Sequence, residues 1–125
     1  MRIFKFRAWD GKELGYFKLS DICANGDYIY TDKGNEFDSD MPIMQGTGLK
    51  DKHDKEIFEG DILTYIDEYK FFCEVLWNNE GCQYYIKFTD DGYTDSLSGF
   101  FGSGGTTPLE IVGNIYENPE SLKED

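Results

Sequence analysis

Short alternating runs, each closed by Gly, Asp or Asn, constrain this chain more than any other feature. "RIFKFRAW" opens it, with Phe4, Phe6 and Ala8 on one side and Lys5 and Arg7 on the other. A two-residue repeat of this kind belongs to an extended strand with one face toward a core. Asp10-Gly11 follows, and then Lys12 to Phe17. Asp-Gly between two such runs predicts a β-hairpin with a tight primed turn, because that turn needs positive φ at both central residues. "DYIYTDKGNEF" reads again as strand, bend and strand start, with Lys33-Gly34-Asn35 at the bend. "KLSDICANG" between them is compatible with a short helical turn.

In "DSDMPIMQGTG" Pro42 lacks an amide proton, which predicts a connector between an N-terminal part, 1–43, and a C-terminal part, 44–125. "LKDKHDKEIF" then turns the chain near Lys52 to Lys55. "EGDIL" starts a strand: Gly60 permits a sharp bend with positive φ, and Asp61 can accept from nearby amides. Ile62, Thr64 and Ile66 share one face of that strand, and Leu63 and Tyr65 the other. Further strands are predicted over Phe71–Trp77, Cys82–Phe88 and Leu109–Tyr116, with a turn at Asn78-Asn79-Glu80-Gly81. "TDDGYTDS" and "GFFGSGG" read as loops, and Asn118-Pro119-Glu120 as the start of a short C-terminal helical turn. Many short strands with little helix predict a mostly β fold, a small SH3-like barrel preceded by a β-hairpin region. With 125 residues, 14 of them Gly, 10 Phe and 9 Tyr, the chain has the size and aromatic content of one folded domain.

Twelve Lys and Arg against 25 Asp and Glu leave a net charge of −13. Such a surface repels phosphate backbones, so general nucleic-acid binding is disfavoured. It suits a solvated surface, an acidic face for a basic partner, or a DNA mimic. Cys23, Cys73 and Cys82 are odd in number and widely spaced, which predicts reduced, mostly buried thiols in a cytoplasmic protein. No stretch has the length and apolarity of a membrane span or the pattern of a signal peptide.

Three segments carry a resemblance. "KFRAWD" holds Trp9 and Asp10. "MQGTGLKDKHDKEIFEGDIL" holds Gly48, Leu49, Asp51, Glu59, Gly60 and Asp61. "IVGNIYENPESL" holds Gly113, Asn114 and Tyr116. In order and spacing these resemble the YopX family of phage and prophage proteins across nearly the whole chain. The resemblance implies a small, mostly β protein encoded by a phage or prophage, and brings no catalytic, cofactor-binding or metal-binding residues with it. One position departs from the family pattern: His53-Asp54 stands where Asn-Gly is usual, so the turn there is either kept at a small cost or widened.

The chemistry-bearing residues do not assemble a catalytic pattern. His53 is the sole histidine and lies amid charges on a turn. The acids Asp32, Glu36, Asp38, Asp40 and Asp90, Asp91, Asp95 lack the EF-hand spacing, and nothing in the sequence selects a carboxylate pair for glycoside hydrolysis. "GSGG" lacks the lysine of a phosphate loop. Trp9, Trp77, Tyr84, Tyr85, Phe100 and Phe101 read as core or interface aromatics; as a stacking platform for single strands they would need basic neighbours. The expectation is a non-enzymatic accessory protein, without cofactor or metal. It acts by binding a host or phage protein and forms a homo-oligomer, since small β domains leave sheet edges to cover. The alternative is a nucleic-acid-directed role, as a DNA mimic or a weak single-strand binder.

Overall fold

The computed structural model describes residues 5–18, 28–30, 36–38, 41–66, 70–89, 92–102, 105 and 107–119, with backbone alone for 28–30, 36–38, 66, 70 and 71. Two units divide the chain, Met1–Gly46 and Thr47–Asp125. Regular structure is almost wholly β. The strands are β1 Lys5–Trp9, β2 Leu14–Lys18, β3 Tyr28–Tyr30, β4 Glu36–Asp38, β5 Ile43–Lys50, β6 Glu56–Phe58, β7 Asp61–Ile66, β8 Lys70–Asn78, β9 Gln83–Phe88, β10 Thr94–Ser96 and β11 Glu110–Asn114. A 3-10 turn covers Leu97–Phe100. Among the described residues no helix is long and apolar enough to cross a membrane.

In the N-terminal unit β1 pairs antiparallel with β2 and, on its other side, with the first residues of β5. Ala8 and Phe17 are buried, with Phe6 and Met41 packed against them. The hairpin forms, but not through a two-residue turn: Trp9 faces Leu14, leaving Asp10–Glu13 as a four-residue loop. Gly11 supplies the positive φ, at +100°. The Asp10 carboxylate accepts from the Lys12 and Glu13 N–H groups at 2.8 Å each, so a side chain closes the loop where a primed backbone turn was expected. β3 and β4 pair antiparallel, Tyr28 against Asp38. The bend at 33–35 and the "LSDICANG" segment lie outside the described residues.

The segment around Pro42 expected as a connector is strand beyond that proline, and the division between the two units, Gly46 to Thr47, falls within it. The strand β5 starts at the next residue, and the Pro42 carbonyl accepts from the Trp9 N–H at 3.1 Å. A proline is tolerated there because only its carbonyl is used.

The C-terminal unit is built on an antiparallel sheet in the order β10-β9-β8-β7-β11. Ile57, Leu63, Cys73, Val75, Ile86, Leu97 and Leu109 form its buried core, with Tyr84, Phe88, Phe100 and Phe101 packed around them. Burying an aliphatic side chain of this kind stabilises by about 1.5–3 kcal/mol. The sheet is open: β10 and β11 are its ends, and among the described residues no pairing joins them into a closed barrel. The expected SH3-like closure is thus not found among the described residues.

Several local expectations change for physical reasons. Ile62, Leu63 and Thr64 are all buried, so both faces of β7 are covered. "TDDGYTDS" contains β10, because Asp95 finds a partner in Ile86. The last strand ends at Asn114, not Tyr116, since Asn114 turns the chain. Within it the register shifts between Ile111 and Gly113, leaving Val112 as a bulge, 41% exposed. Cys73 is buried, whereas Cys82 is exposed and holds φ +52° in the β8–β9 turn. Of the helical turn expected from Asn118-Pro119-Glu120, Pro119 is in 3-10 conformation, and the rest, from Glu120 on, lies outside the described residues.

Candidate functional site

The middle and last signature segments meet in the C-terminal unit. Asp61 lies opposite Asn114, and Ile62 opposite Gly113. Gly60 takes φ +83° and is buried; its N–H donates to the Val75 carbonyl and its own carbonyl accepts from Ile115 N–H, both at 2.9 Å. A bend with positive φ costs other residues Cβ strain that glycine avoids. The Asp61 carboxylate, 1% exposed, accepts the Phe58 N–H at 2.8 Å and closes the turn that Glu59, half-buried, helps to form.

Asp51 ties the hairpin loop to the end of the sheet. Its Oδ1 accepts from the His53 and Lys55 N–H groups at 2.9 and 3.0 Å, and its Oδ2 from Ile111 N–H at 3.0 Å. Burial alone would raise this carboxyl's pKa. The three donors outweigh burial and hold it below the ordinary carboxylate value. The loop itself has widened. Asp51 N–H bonds to the Lys55 carbonyl and Asp54 N–H to the Asp51 carbonyl, leaving Lys52–Asp54 as a three-residue tip in which Asp54 alone takes positive φ, +68°. The Asn-Gly departure is accommodated in that way.

Gly48 takes φ +82° within β5, where the Leu49 N–H is held by Thr47 Oγ1 at 3.1 Å and Leu49 packs against the core. Asn114 organises the far end. Its Oδ1 accepts from Tyr116 and Glu117 N–H at 3.0 and 2.9 Å, and its Nδ2 donates to Glu117 Oε1 at 2.7 Å. Asn118 Oδ1 returns to Asn114 N–H at 3.3 Å, over Gly113, where a Cβ would stand 2.5 Å from that oxygen. Trp9 and Asp10 lie in the N-terminal unit, one half-buried at the end of β1 and the other in its loop.

His53 is exposed and contacts Glu110 through Nε2 and Oε1 at 2.7 Å, with Lys52 Nζ 3.5 Å from the same oxygen. The hydrogen bond with His53, foremost, and the nearby Lys52 charge lower the Glu110 pKa. Glu110 is a partner that sequence reading missed, because 57 residues separate the pair. Among the described residues no group of three His, Cys, Asp or Glu could hold a metal ion. Of the acid clusters, Asp32, Asp40, Asp90 and Asp91 lie outside the described residues. Of the candidate aromatic platform, Trp77 and Tyr84 are in contact, with centroids 4.8 Å apart; Tyr84, Phe100 and Phe101 pack on the core, and Trp9 belongs to the N-terminal unit. Trp77, 41% exposed, instead borders a groove with Glu80, Gln83, Tyr85 and Asp95. The signal for that groove was an aromatic at a strand end beside an Asn-Asn turn.

The fold and these contacts define a small, mostly β protein whose distinctive polar residues anchor backbone. The YopX family profile, described as YopX protein, matches residues 5–123, and the chain belongs to that family. It is similar to the crystal structure of protein EF1440 from Enterococcus faecalis, with 31% identity over 98% of this chain and 100% of that one and a TM-score of 0.61. No curated protein matches it.

Proposed function

We propose that this is a phage- or prophage-encoded accessory protein that works in the bacterial cytoplasm by binding another protein, without catalysis. The observation that carries this reading is the employment of the signature polar groups. The oxygens of Asp51 and Asn114 bond backbone N–H groups, and Asp61 bonds one as well. A side chain committed to holding a loop is poorly placed to transfer protons or bind substrate. The sole histidine is solvent-exposed on a loop tip, where water dilutes any activation.

Self-association belongs to the same reading. Tyr16, Ile43, Trp77, Tyr93 and Val112 are exposed large apolar residues, and burying such side chains between copies would be favourable. The nucleic-acid-directed alternative rests on the charge of −13, which would suit a DNA mimic. A single-strand binder is less well supported, because Lys50 and Lys52 are already paired with Asp54 and Glu110.

Crosslinking in the infected or lysogenic host, followed by mass spectrometry, tests the reading. It expects one protein recovered in excess over an unrelated acidic control. Recovery of none, together with turnover in a broad enzyme screen, overturns it.

A further inference from the structure

Where the β8–β9 turn approaches β10, the sheet carries an open groove of about 600 Å3. Its described lining holds Glu80 and Asp95 but no lysine, arginine or histidine. Several of its neutral acceptor oxygens are engaged locally. Asn79 Oδ1 accepts the Trp77 indole N–H at 2.5 Å, Asn78 Oδ1 accepts the Glu80 and Gly81 N–H groups, and Gln83 Oε1 accepts from Ser96 Oγ. Two open features bear on a cationic ligand. One is the Trp77 indole, 41% exposed, whose ring makes a T-shaped contact with Tyr84 at 4.8 Å between centroids. The other is the pair of carboxylates. Asp95 gives one oxygen to the Ser96 N–H, and neither acid enters an ion pair among the described residues. Lys87, farther along β9, lies opposite Glu74.

Resting on the protein-binding reading above, we propose that this groove accepts an arginine side chain presented by a basic protein partner. A planar guanidinium stacks on an indole face and offers a fork of N–H donors to carboxylates, which matches both open features at once. The net charge of −13 draws a basic surface toward the chain and repels a phosphate backbone. A neutral sugar would leave the two carboxylates without a counter-charge and would gain nothing from the acidity of the chain.

The test is an NMR titration of the 15N-labelled full chain at physiological salt with acetyl-Gly-Arg-Gly-Arg-Gly-amide. The same peptide with citrulline, isosteric but uncharged, is the control. The Trp77 indole N–H and the Glu80 and Asp95 amides are expected to shift with the arginine peptide and not with citrulline, while the Trp9 indole stays still. Glu80→Gln with Asp95→Asn should weaken binding about fivefold, the scale of exposed ion pairs. Trp77→Ala, at an exposed site, should abolish the selectivity. Absence of shifts overturns the proposal, as do shifts spread over all acidic residues. A response to maltopentaose in place of the arginine peptide overturns it in favour of a sugar site. The titration uses no partner and so tests the groove by itself. A host partner crosslinked only elsewhere removes the groove and leaves the protein-binding reading standing.

Discussion

Replacing Asp51 should cost more than its place in a charged surface loop suggests. Its carboxylate is 5% exposed and accepts three backbone N–H groups. Hydrogen bonds to a charged acceptor contribute about 1.5–3 kcal/mol each, and a buried donor left without a partner costs about 1–3 kcal/mol. His53 and Lys55 are exposed, so water can take over their amides after truncation. The Ile111 amide lies at the end of the sheet, between two core-packed stretches, and loses its partner more fully. Asp51→Ala should therefore destabilise the C-terminal unit by about 3 kcal/mol. Asp51→Asn keeps one oxygen but sets an NH2 group against one of the N–H donors, which should cost about 2 kcal/mol. Urea unfolding followed through Trp77 in a Trp9→Phe background measures both, and amide exchange at Ile111 should accelerate in step. The pH dependence has a definite sign. The folded pKa lies below the ordinary 3.8, so the contribution is present above that value and fades as pH falls through the folded pKa. The parent's advantage over Asp51→Asn should thus shrink in acid. If Asp51→Asn unfolds within 0.5 kcal/mol of the parent at pH 7 and Ile111 stays protected, the carboxylate does not hold the loop to the sheet, and the scaffold reading fails there.

Three further outcomes follow from individual positions. Gly60→Val, forced to φ +83°, should lose about 1–3 kcal/mol by chemical denaturation, and an unchanged midpoint would contradict the assigned backbone. Gly113→Ala brings a Cβ to 2.5 Å from Asn118 Oδ1 and 3.0 Å from its Cβ, which should cost about 1–3 kcal/mol. Adding Asn118→Gly should recover part of that loss, whereas strictly additive losses would show that the clash is not the cause. In a Cys23→Ser background, Cys82 should react with a disulfide reagent in the folded state while Cys73 does not. Cys73 is buried and burial pushes its thiol up to about 12, so fast labelling of both would show the core to be open.

What the sequence determined by itself was the strand content and much of its punctuation. Alternation in "RIFKFRAW" and turn residues at Asp10-Gly11 and Asn78 to Gly81 are local signals, and they mark β1, the first hairpin and the β8–β9 turn. Local signals also marked Gly60 and Asp61 as a bend and its clasp, since both act within a few residues of chain. The turn geometry at Asp10 escaped because a side-chain acceptor can replace a backbone turn without altering composition. β10 escaped because three polar residues become a strand only when β9 offers them a ladder. The candidate site divides along the same line. Residues such as Asp51 were visible as motif members, but the acceptor role toward Ile111 spans 60 residues, and the Glu110 contact of His53 spans 57. Both depend on which strand lies beside β7, and no two-residue period specifies that. Tertiary structure alone decided them, because a buried donor takes whatever acceptor the packed register places within reach.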